Sequence, residues 1–373
     1  MTKPLRTHLR AIGLMSGTSM DGIDVAMITT DGEAAVSRGA STQFVYPPEF
    51  RSKLQGALAE AKTVQARGER PGSLASVEQE LTELHAGAVY SFLTKEAIDP
   101  SYIDIIGFHG QTVLHRPEAG LTVQLGNGEL LAKLLGIDVV YDMRAADVAA
   151  GGQGAPLVPL YHQALAAAQT ERPIAILNLG GVANVTWIGA DDKIVAFDTG
   201  PGNAMIDDWV REHTGEPWDE AGKHAAAGRM DDSAIAHLLS NPYFAAPPPK
   251  SLDRNAFDRS RVGHLSLEDG AATLTAFTAA AVSKAAAHFP EPAKIWIVSG
   301  GGSRNLTLMA MLEKVLGAQM IAAETLGLNG DSLEAEAWAY LAVRSLKGLP
   351  ITYPMTTGAP NPMTGGVLAQ GKR

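Results

Sequence analysis

The sequence predicts an α/β protein of two lobes with a ligand cleft between them, and three observations lead there. A length of 373 residues suits about two domains. Two stretches share one form, an apolar strand, a turn of small residues and a second apolar strand, first from Ile12 to Ile28 and again from Ile174 to Ile188. Polar residues follow directly on apolar strands in both halves, at His109 to Thr112 and at Asp198 to Asn203, where a strand end can present them to a ligand. The shared form needs no residue-level repeat and points to lobes related by duplication.

In the opening stretch, the run from Ile12 breaks at Ser16-Gly17-Thr18-Ser19, and Ile23 to Ile28 resumes it after Gly22. Backbone amides and the hydroxyls of Ser16, Thr18 and Ser19 can line a concavity for phosphate. Asp21 and Asp24 would repel phosphate unless a divalent cation intervenes, so the expectation is a phosphate loop with Mg²⁺ close by, against a purely structural hairpin turn. A third strand, Ala40 to Tyr46, ends at Pro47-Pro48. Phe50 to Arg67 and Ser73 to Ala97 have helical spacing; in the second, Leu74, Val77, Leu81, Leu84, Ala88 and Phe92 form the apolar stripe.

Asp104 to Phe108 reads as a strand ending in His109-Gly110-Gln111-Thr112. A second polar turn, Gln124-Leu125-Gly126-Asn127, precedes a helix from Glu129 to Leu135. Strand Ile137 to Asp142 then emerges into Arg144, Asp147 and the run Ala150-Gly151-Gly152-Gln153-Gly154-Ala155-Pro156. That run is either a linker or, given the charges just before it, an interdomain ligand site.

After the second hairpin, with Gly180-Gly181 in its turn, strand Ile194 to Phe197 leads to Asp198-Thr199-Gly200-Pro201-Gly202-Asn203, where Asn203 can cap a helix. Gly215 to Val262, with Pro242, Pro247, Pro248 and Pro249, reads as irregular loops. A helix from Leu267 through Phe289, a strand Lys294 to Val298, the turn Ser299-Gly300-Gly301-Gly302-Ser303-Arg304-Asn305 and a helix Leu306 to Leu316 follow. Strand Gln319 to Ala323 precedes a helix from Ser332 to about Lys347, where Glu334 and Glu336 suit the helix dipole without any function. The tail reads as loop and a crossover.

Composition narrows the partners. Hydrophobic residues at 46% and charged residues at 19% fit a globular protein with substantial cores. A net charge of −10 argues against long-range attraction to nucleic acid or an anionic membrane. The absence of cysteine excludes disulfides, thiolate catalysis and cysteine-ligated metal, and suits a reducing, cytoplasmic setting. Met1-Thr2-Lys3-Pro4 offers no signal-peptide core, and no apolar run approaches the roughly 20 residues of a membrane span.

Each candidate residue carries two readings. Asp198, after a strand, is either a general base for an attacking nucleophile or a turn-forming carboxylate. Asp21 and Asp24 compete for a metal; Asp142 and Asp147 can hold sugar hydroxyls; Arg144 binds an anionic substrate or pairs with one of these aspartates. His109 is a substrate donor or a structural histidine. Zinc-binding histidine spacing, a nucleophile elbow, the common lysine-bearing phosphate loop and the dinucleotide glycine fingerprint are all absent from the sequence.

Five segments taken together carry a resemblance: Ile12-Gly13-Leu14-Met15-Ser16-Gly17-Thr18-Ser19-Met20-Asp21-Gly22; Gly107-Phe108-His109-Gly110-Gln111-Thr112; Arg144 through Asp147 to Pro156; Phe197-Asp198-Thr199-Gly200-Pro201-Gly202-Asn203; and Ser299-Gly300-Gly301-Gly302. In this order they resemble the anhydro-N-acetylmuramic acid kinase family, from residue 12 to the tail. The resemblance implies the two-lobed, actin-like ATPase (ribonuclease H-like) fold of the sugar kinase, heat-shock 70 and actin superfamily. It implies a first lobe of residues 1–142 plus about 355–373 and a second of residues 143–354.

The same resemblance implies ATP and Mg²⁺ as cofactors and 1,6-anhydro-N-acetylmuramic acid as substrate. That sugar is opened by water at C1 while O6 is phosphorylated, in recycling of the bacterial cell wall. Gly17, Thr18, Ser19, Asp21, Gly22 and Asp24 would contact the ATP phosphates, with Asp21 or Asp24 at the metal. Gly180 and Gly181 would form the opposing loop, with Gly300, Gly301, Gly302 and Asn305 on the adenosine side. Asp198 falls on the catalytic aspartate. His109, Gln111, Thr112, Asn127, Arg144, Asp147 and Glu334 would line or support the sugar site. A homodimer is one assembly left open. So are two competing classes, a kinase of an ordinary sugar hydroxyl and a non-catalytic, actin-like assembly protein.

Overall fold

The computed structural model describes residues 6–17, 20–167, 169, 171–252, 256–326, 328 and 332–371. The chain folds into two compact units, Met1–Ala168 with Asp331–Arg373, and Gln169–Gly330. In chain order, the first unit begins with β1 (Leu9–Met15), β2 (Gly22–Thr30) and β3 (Val36–Val45), then α1 (Pro48–Ala61) and α2 (Leu74–Lys95). It continues with β4 (Ile105–Phe108), β5 (Gln111–Arg116), β6 (Leu121–Leu125), α3 (Gly128–Leu135), β7 (Val139–Tyr141), α4 (Ala145–Ala149) and α5 (Pro159–Ala166). The second unit holds β8 (Ile174–Leu179), β9 (Val182–Ile188), β10 (Ile194–Pro201), α6 (Ala204–Thr214), α7 (Lys223–Ala227), α8 (Asp232–Leu239), α9 (Leu267–Ala286), β11 (Ile295–Ser299), α10 (Leu306–Leu316) and β12 (Gln319–Ala322). The chain then returns to the first unit with α11 (Leu333–Leu346), α12 (Pro354–Thr357) and β13 (Val367–Ala369).

The two sheets share one plan. In the first, β3, β2 and β1 form an antiparallel meander and β4 and β7 add in parallel beside β1, giving the order β13-β7-β4-β1-β2-β3. In the second, β10, β9 and β8 form the meander and β11 and β12 add in parallel, giving β10-β9-β8-β11-β12. The duplication expected from the paired hairpins is thus a repeat of strand order. The chain's last strand, β13, pairs antiparallel with β7, so the tail completes the first sheet as the crossover reading anticipated.

The unit boundaries correct the expected division at 142/143 and 354/355. Helix α11 lies directly on the first sheet, and two glycines allow it: a Cβ on Gly13 would sit 1.7 Å from the Ala335 carbonyl oxygen, and one on Gly107 would sit 2.0 Å from that of Trp338. Glu336, on the same helix, is buried and accepts from Arg38 on β3 at 2.7 Å through both carboxylate oxygens and from the Tyr161 hydroxyl of α5 at 2.6 Å. These bonds bind both α5 and α11 into the first unit. They also give Glu336 a structural task beyond complementing a helix dipole. Arg344, about two turns further along, donates to the carbonyl of Gly32 at 2.7 Å.

Other elements differ from expectation for local reasons. The first helix stops at Ala61 instead of Arg67, the hairpin of β5 and β6 occupies what looked like turns, and α4 and α5 flank the glycine run that looked like a linker. Residues 215–262 contain α7 and α8, five and eight residues long, too short to impose a clear apolar period. Each unit has its own core. Ile12, Phe50, Leu81, Phe92 and Phe108 belong to the first, and Trp187, Phe197, Val298 and Leu308 to the second. A satellite cluster around Trp209, Phe244 and Phe277 packs beneath α9 in the second unit.

Candidate active site

In the second unit, three glycine turns converge where β10 ends. The Gly202 amide donates to Gly181 O at 3.0 Å and the Asn203 amide to Gly180 O at 2.7 Å, which ties the β8–β9 turn to the turn after Asp198. Gly302 packs against Leu179 and Asn203, and Gly300, at φ +80°, lies against Asn178 and Leu179. Gly180, Gly181 and Gly300 to Gly302 are therefore together. Asn203 departs from its expected role: its side chain donates to Leu179 O at 2.8 Å and makes no cap bond to α6. Asn305 is an N-cap, accepting from the Leu308 amide at 2.9 Å.

Asp198 sits on β10 beside a register shift that separates it from Gly200. A strap from residues 243 to 252 holds it. Its amide donates to Lys250 O at 3.1 Å, the Leu252 amide donates to its Oδ2 at 2.7 Å, and the Tyr243 hydroxyl donates to its carbonyl oxygen. Lys250 in turn donates to Tyr243 O at 3.0 Å and lies 4.7 Å from the Tyr243 ring centre and 5.5 Å from that of Phe197. Burial pushes the Asp198 carboxyl up to about 6, against the opposing pull of the Leu252 amide. The result is a carboxylate with one oxygen fixed and a proton affinity close to neutral pH. The sequence left this strap among irregular loops. Tyr243, Lys250 and Leu252 form no motif, and only their contacts with Asp198 reveal them.

In the first unit, the turn after β1 meets the strand end of β4. The Gln111 side chain donates to Gly17 O at 3.0 Å and Ser16 Oγ to Gly110 O at 2.9 Å. Thr18 and Ser19 lie outside the described residues. Asp21 is exposed and Asp24 half-buried, flanking Gly22 at the head of β2. Burial, and after it the charges of Asp21 and Asp24, hold the Tyr46 phenol above its usual range. Asp21 and Asp24 are the carboxylates at this turn that could hold a divalent cation. Among the described residues, His, Asp and Glu nowhere gather into a metal cage of three or more.

His109 is buried between two partners. Its Nε2 accepts from Arg144 Nε at 3.2 Å, and its ring lies 4.5 Å from that of Trp338, over which Arg144 also stacks at 5.1 Å. Burial and the Arg144 charge push its pKa well below the usual histidine range, so the ring is neutral with its proton on Nδ1. Arg144 donates to Gly154 O at 2.7 Å; burial lowers its own pKa to about 10, and the charges of Glu334 and Asp147 oppose that shift. Glu334 is exposed on the first turn of α11.

Three other expected sugar residues have structural partners here. Asp147 is 1% exposed and fully engaged: Oδ1 accepts from Thr352 at 2.5 Å and Thr357 at 2.7 Å, and Oδ2 accepts from the Gly154 amide at 2.7 Å. It closes the glycine run onto the tail. Asn127 caps α3 through the Leu130 amide at 2.9 Å, and Thr112 accepts from Gln124 at 3.1 Å. Asp142 forms an ion pair with Arg67.

A family model described as anhydro-N-acetylmuramic acid kinase matches residues 9–371. Curated relatives under that name include one from Methylobacterium nodulans, 55% identical over 97% of this chain and 100% of its own. A second, from Azorhizobium caulinodans, is 55% identical over 97% of this chain and 99% of its own. Among solved structures, a ROK family glucokinase from Streptomyces griseus in complex with glucose and AMPPNP superposes with TM-score 0.42 at 15% identity, covering 89% of this chain and 99% of that one. Component A of the Acidaminococcus fermentans (R)-2-hydroxyglutaryl-CoA dehydratase gives 0.46 at 10% identity, covering 91% and 99%.

Proposed function

The chain belongs to the anhydro-N-acetylmuramic acid kinase family, and from that premise we propose how its own residues divide the reaction. The activity is ATP-dependent: the 1,6-anhydro bridge of anhydro-N-acetylmuramic acid is opened and O6 phosphorylated, giving N-acetylmuramate 6-phosphate and ADP in cell-wall recycling. Asp198 is the general base. What supports this is its carboxylate, with Oδ2 occupied by the Leu252 amide, Oδ1 without a hydrogen bond among the described residues, and a pKa raised to about 6. Such a group is ionised at neutral pH yet basic enough to take a proton from water.

The water oxygen bonds to C1 as its proton passes to Asp198. The C1–O6 bond breaks, its electron pair goes to O6, and O6 bonds to the γ-phosphorus as the ADP oxygen departs. The leaving group of the first event is the nucleophile of the second, so no free alkoxide persists. Backbone amides of the Gly17 turn and of the Gly180-Gly181 turn bind phosphate oxygens. Asp21 and Asp24 would hold Mg²⁺, which when bound neutralises phosphoryl charge. Tyr243, Lys250 and Leu252 orient the base, and Arg144 and Trp338 fix His109 against the sugar.

The test is ADP production with two sugars, anhydro-N-acetylmuramic acid and ring-opened N-acetylmuramic acid. Turnover confined to the bridged sugar is expected. Equal turnover of the open sugar would identify an ordinary hydroxyl kinase instead.

A further inference from the structure

The three residues after β4 are stitched, one after another, to the end of β1 and the turn beyond it. The His109 amide donates to Leu14 O at 3.1 Å, Gly110 O accepts from Ser16 Oγ at 2.9 Å, and Gln111 Nε2 donates to Gly17 O at 3.0 Å. The first bond continues the parallel pairing of the two strands. The other two are made by side chains, and both residues are 1% exposed. Behind Ser16, Nε2 of the buried His85 on α2 lies 3.3 Å from the same hydroxyl. The Ser16 side chain, expected among the phosphate donors, is thus committed to the strand end.

Gln111 destabilises the fold where it sits. Its Oε1 is buried and has no hydrogen-bond partner among the described residues. An acceptor of this kind is rare in native proteins, and a leucine of similar size would avoid it. The use of the side chain lies at its other end. Gly17 O accepts from Gln111 Nε2 and also from the Met20 amide at 3.1 Å, so this carbonyl is held from two sides. A trans peptide group is planar, with its N–H opposite its C=O. Pinning the Gly17 carbonyl toward Gln111 therefore turns the amide of that same peptide group away from the strand end, as a turn that binds phosphate through its amides requires.

We propose that Gln111 is a positioning residue of the phosphate turn: it fixes the Gly17 peptide group, Ser16 fixes the residue before it, and neither side chain contacts the sugar. Gln111 is retained for nucleotide binding at the expense of stability. The proposal rests on the reading above in which this turn binds the ATP phosphates.

The experiment measures three quantities for the unaltered protein, Gln111→Leu and Ser16→Ala: the Kd for ATP with Mg²⁺ by titration calorimetry without sugar, the separate KM values for ATP and for the bridged sugar, and the denaturation midpoint. For Gln111→Leu we expect ATP affinity and kcat/KM for ATP to fall by about 10- to 100-fold, the loss that a misplaced binding group brings. Its KM for the sugar should stay within about threefold, and its midpoint should equal or exceed that of the unaltered protein, since the unpaired acceptor is gone. Ser16→Ala, a small truncation, should show the same split to a lesser degree, and it decides the matter if Gln111→Leu does not fold. A raised KM for the sugar with ATP affinity unchanged would make Gln111 a sugar contact and overturn the proposal. So would a lowered midpoint with both KM values unmoved, which is the mark of a purely structural residue. A protein that binds ATP, loses that binding in Gln111→Leu and turns over no bridged sugar would uphold the positioning role and overturn the kinase reading instead.

Discussion

At the scale of single residues, the account turns on Asp198, whose carboxyl burial lifts from 3.8 to about 6. Because the base must be ionised, kcat/KM should rise with pH through about 6, and a rate profile against pH checks it. The sign for stability is opposite. Between those two values the folded chain holds a proton that the unfolded chain has released. This contribution is full below about 3.8 and is lost as pH rises through about 6. Asp198→Asn should therefore lose at least ~10²-fold in turnover and yet melt at a higher temperature than the native protein at pH 7.5. Near-normal turnover in that variant would remove Asp198 as the base. Tyr243→Phe keeps the ring under Lys250 and deletes only the bond to the Asp198 carbonyl. It should lower kcat with little change in KM and displace the acid limb of the pH profile; an unmoved limb would reduce Tyr243 to packing.

At the scale of elements, α11 shows most plainly why a sheet strand here carries glycine. An alanine at Gly107 would place its Cβ 2.0 Å from a backbone oxygen, which no rotamer can relieve. Gly107→Ala should cost about 1–3 kcal/mol or somewhat more, read as a lower denaturation midpoint at constant slope. Removing the Glu336 carboxylate leaves Arg38 without its bidentate partner, and Glu336→Ala should cost about 3 kcal/mol. The glycine-centred turns, the strand that delivers Asp198 and the helices with a clear apolar stripe were all legible in the sequence, because period and turn chemistry are local. Glu336 was not: its partner lies 298 positions away, and nothing around residue 336 announces a buried ion pair. The partners of Asp147 were hidden for the same reason, since the threonines that bond to it lie 205 and 210 positions further on. The strand ends were half-legible, with His109 marked by its place after β4 and Gln124 taken for part of a turn when it belongs to β6.

At the scale of the whole molecule, one strand order used twice makes each unit a complete sheet with its own core, and the tail closes the first of them. Deleting residues 365–371 exposes the free edge of β7. Amide exchange should then quicken in β7 and β4 and stay unchanged in β8 and β11; equal loosening of both sheets would show that stability is shared more widely than the two cores suggest. The expected division of the chain failed because it followed the returning tail but not the helix before it. α11 contributes to the first sheet from the far side of 162 residues of the second unit, Gln169 to Gly330.

The coupled opening and phosphorylation is tested most directly by carrying out the reaction with anhydro-N-acetylmuramic acid, ATP and Mg²⁺ in ¹⁸O-labelled water and weighing the product promptly. The account expects a sugar 6-phosphate with one heavy oxygen at C1 and one ADP per sugar. A phosphorylated product with unlabelled C1 would contradict it, because water activated by Asp198 would then have no part in breaking the bridge.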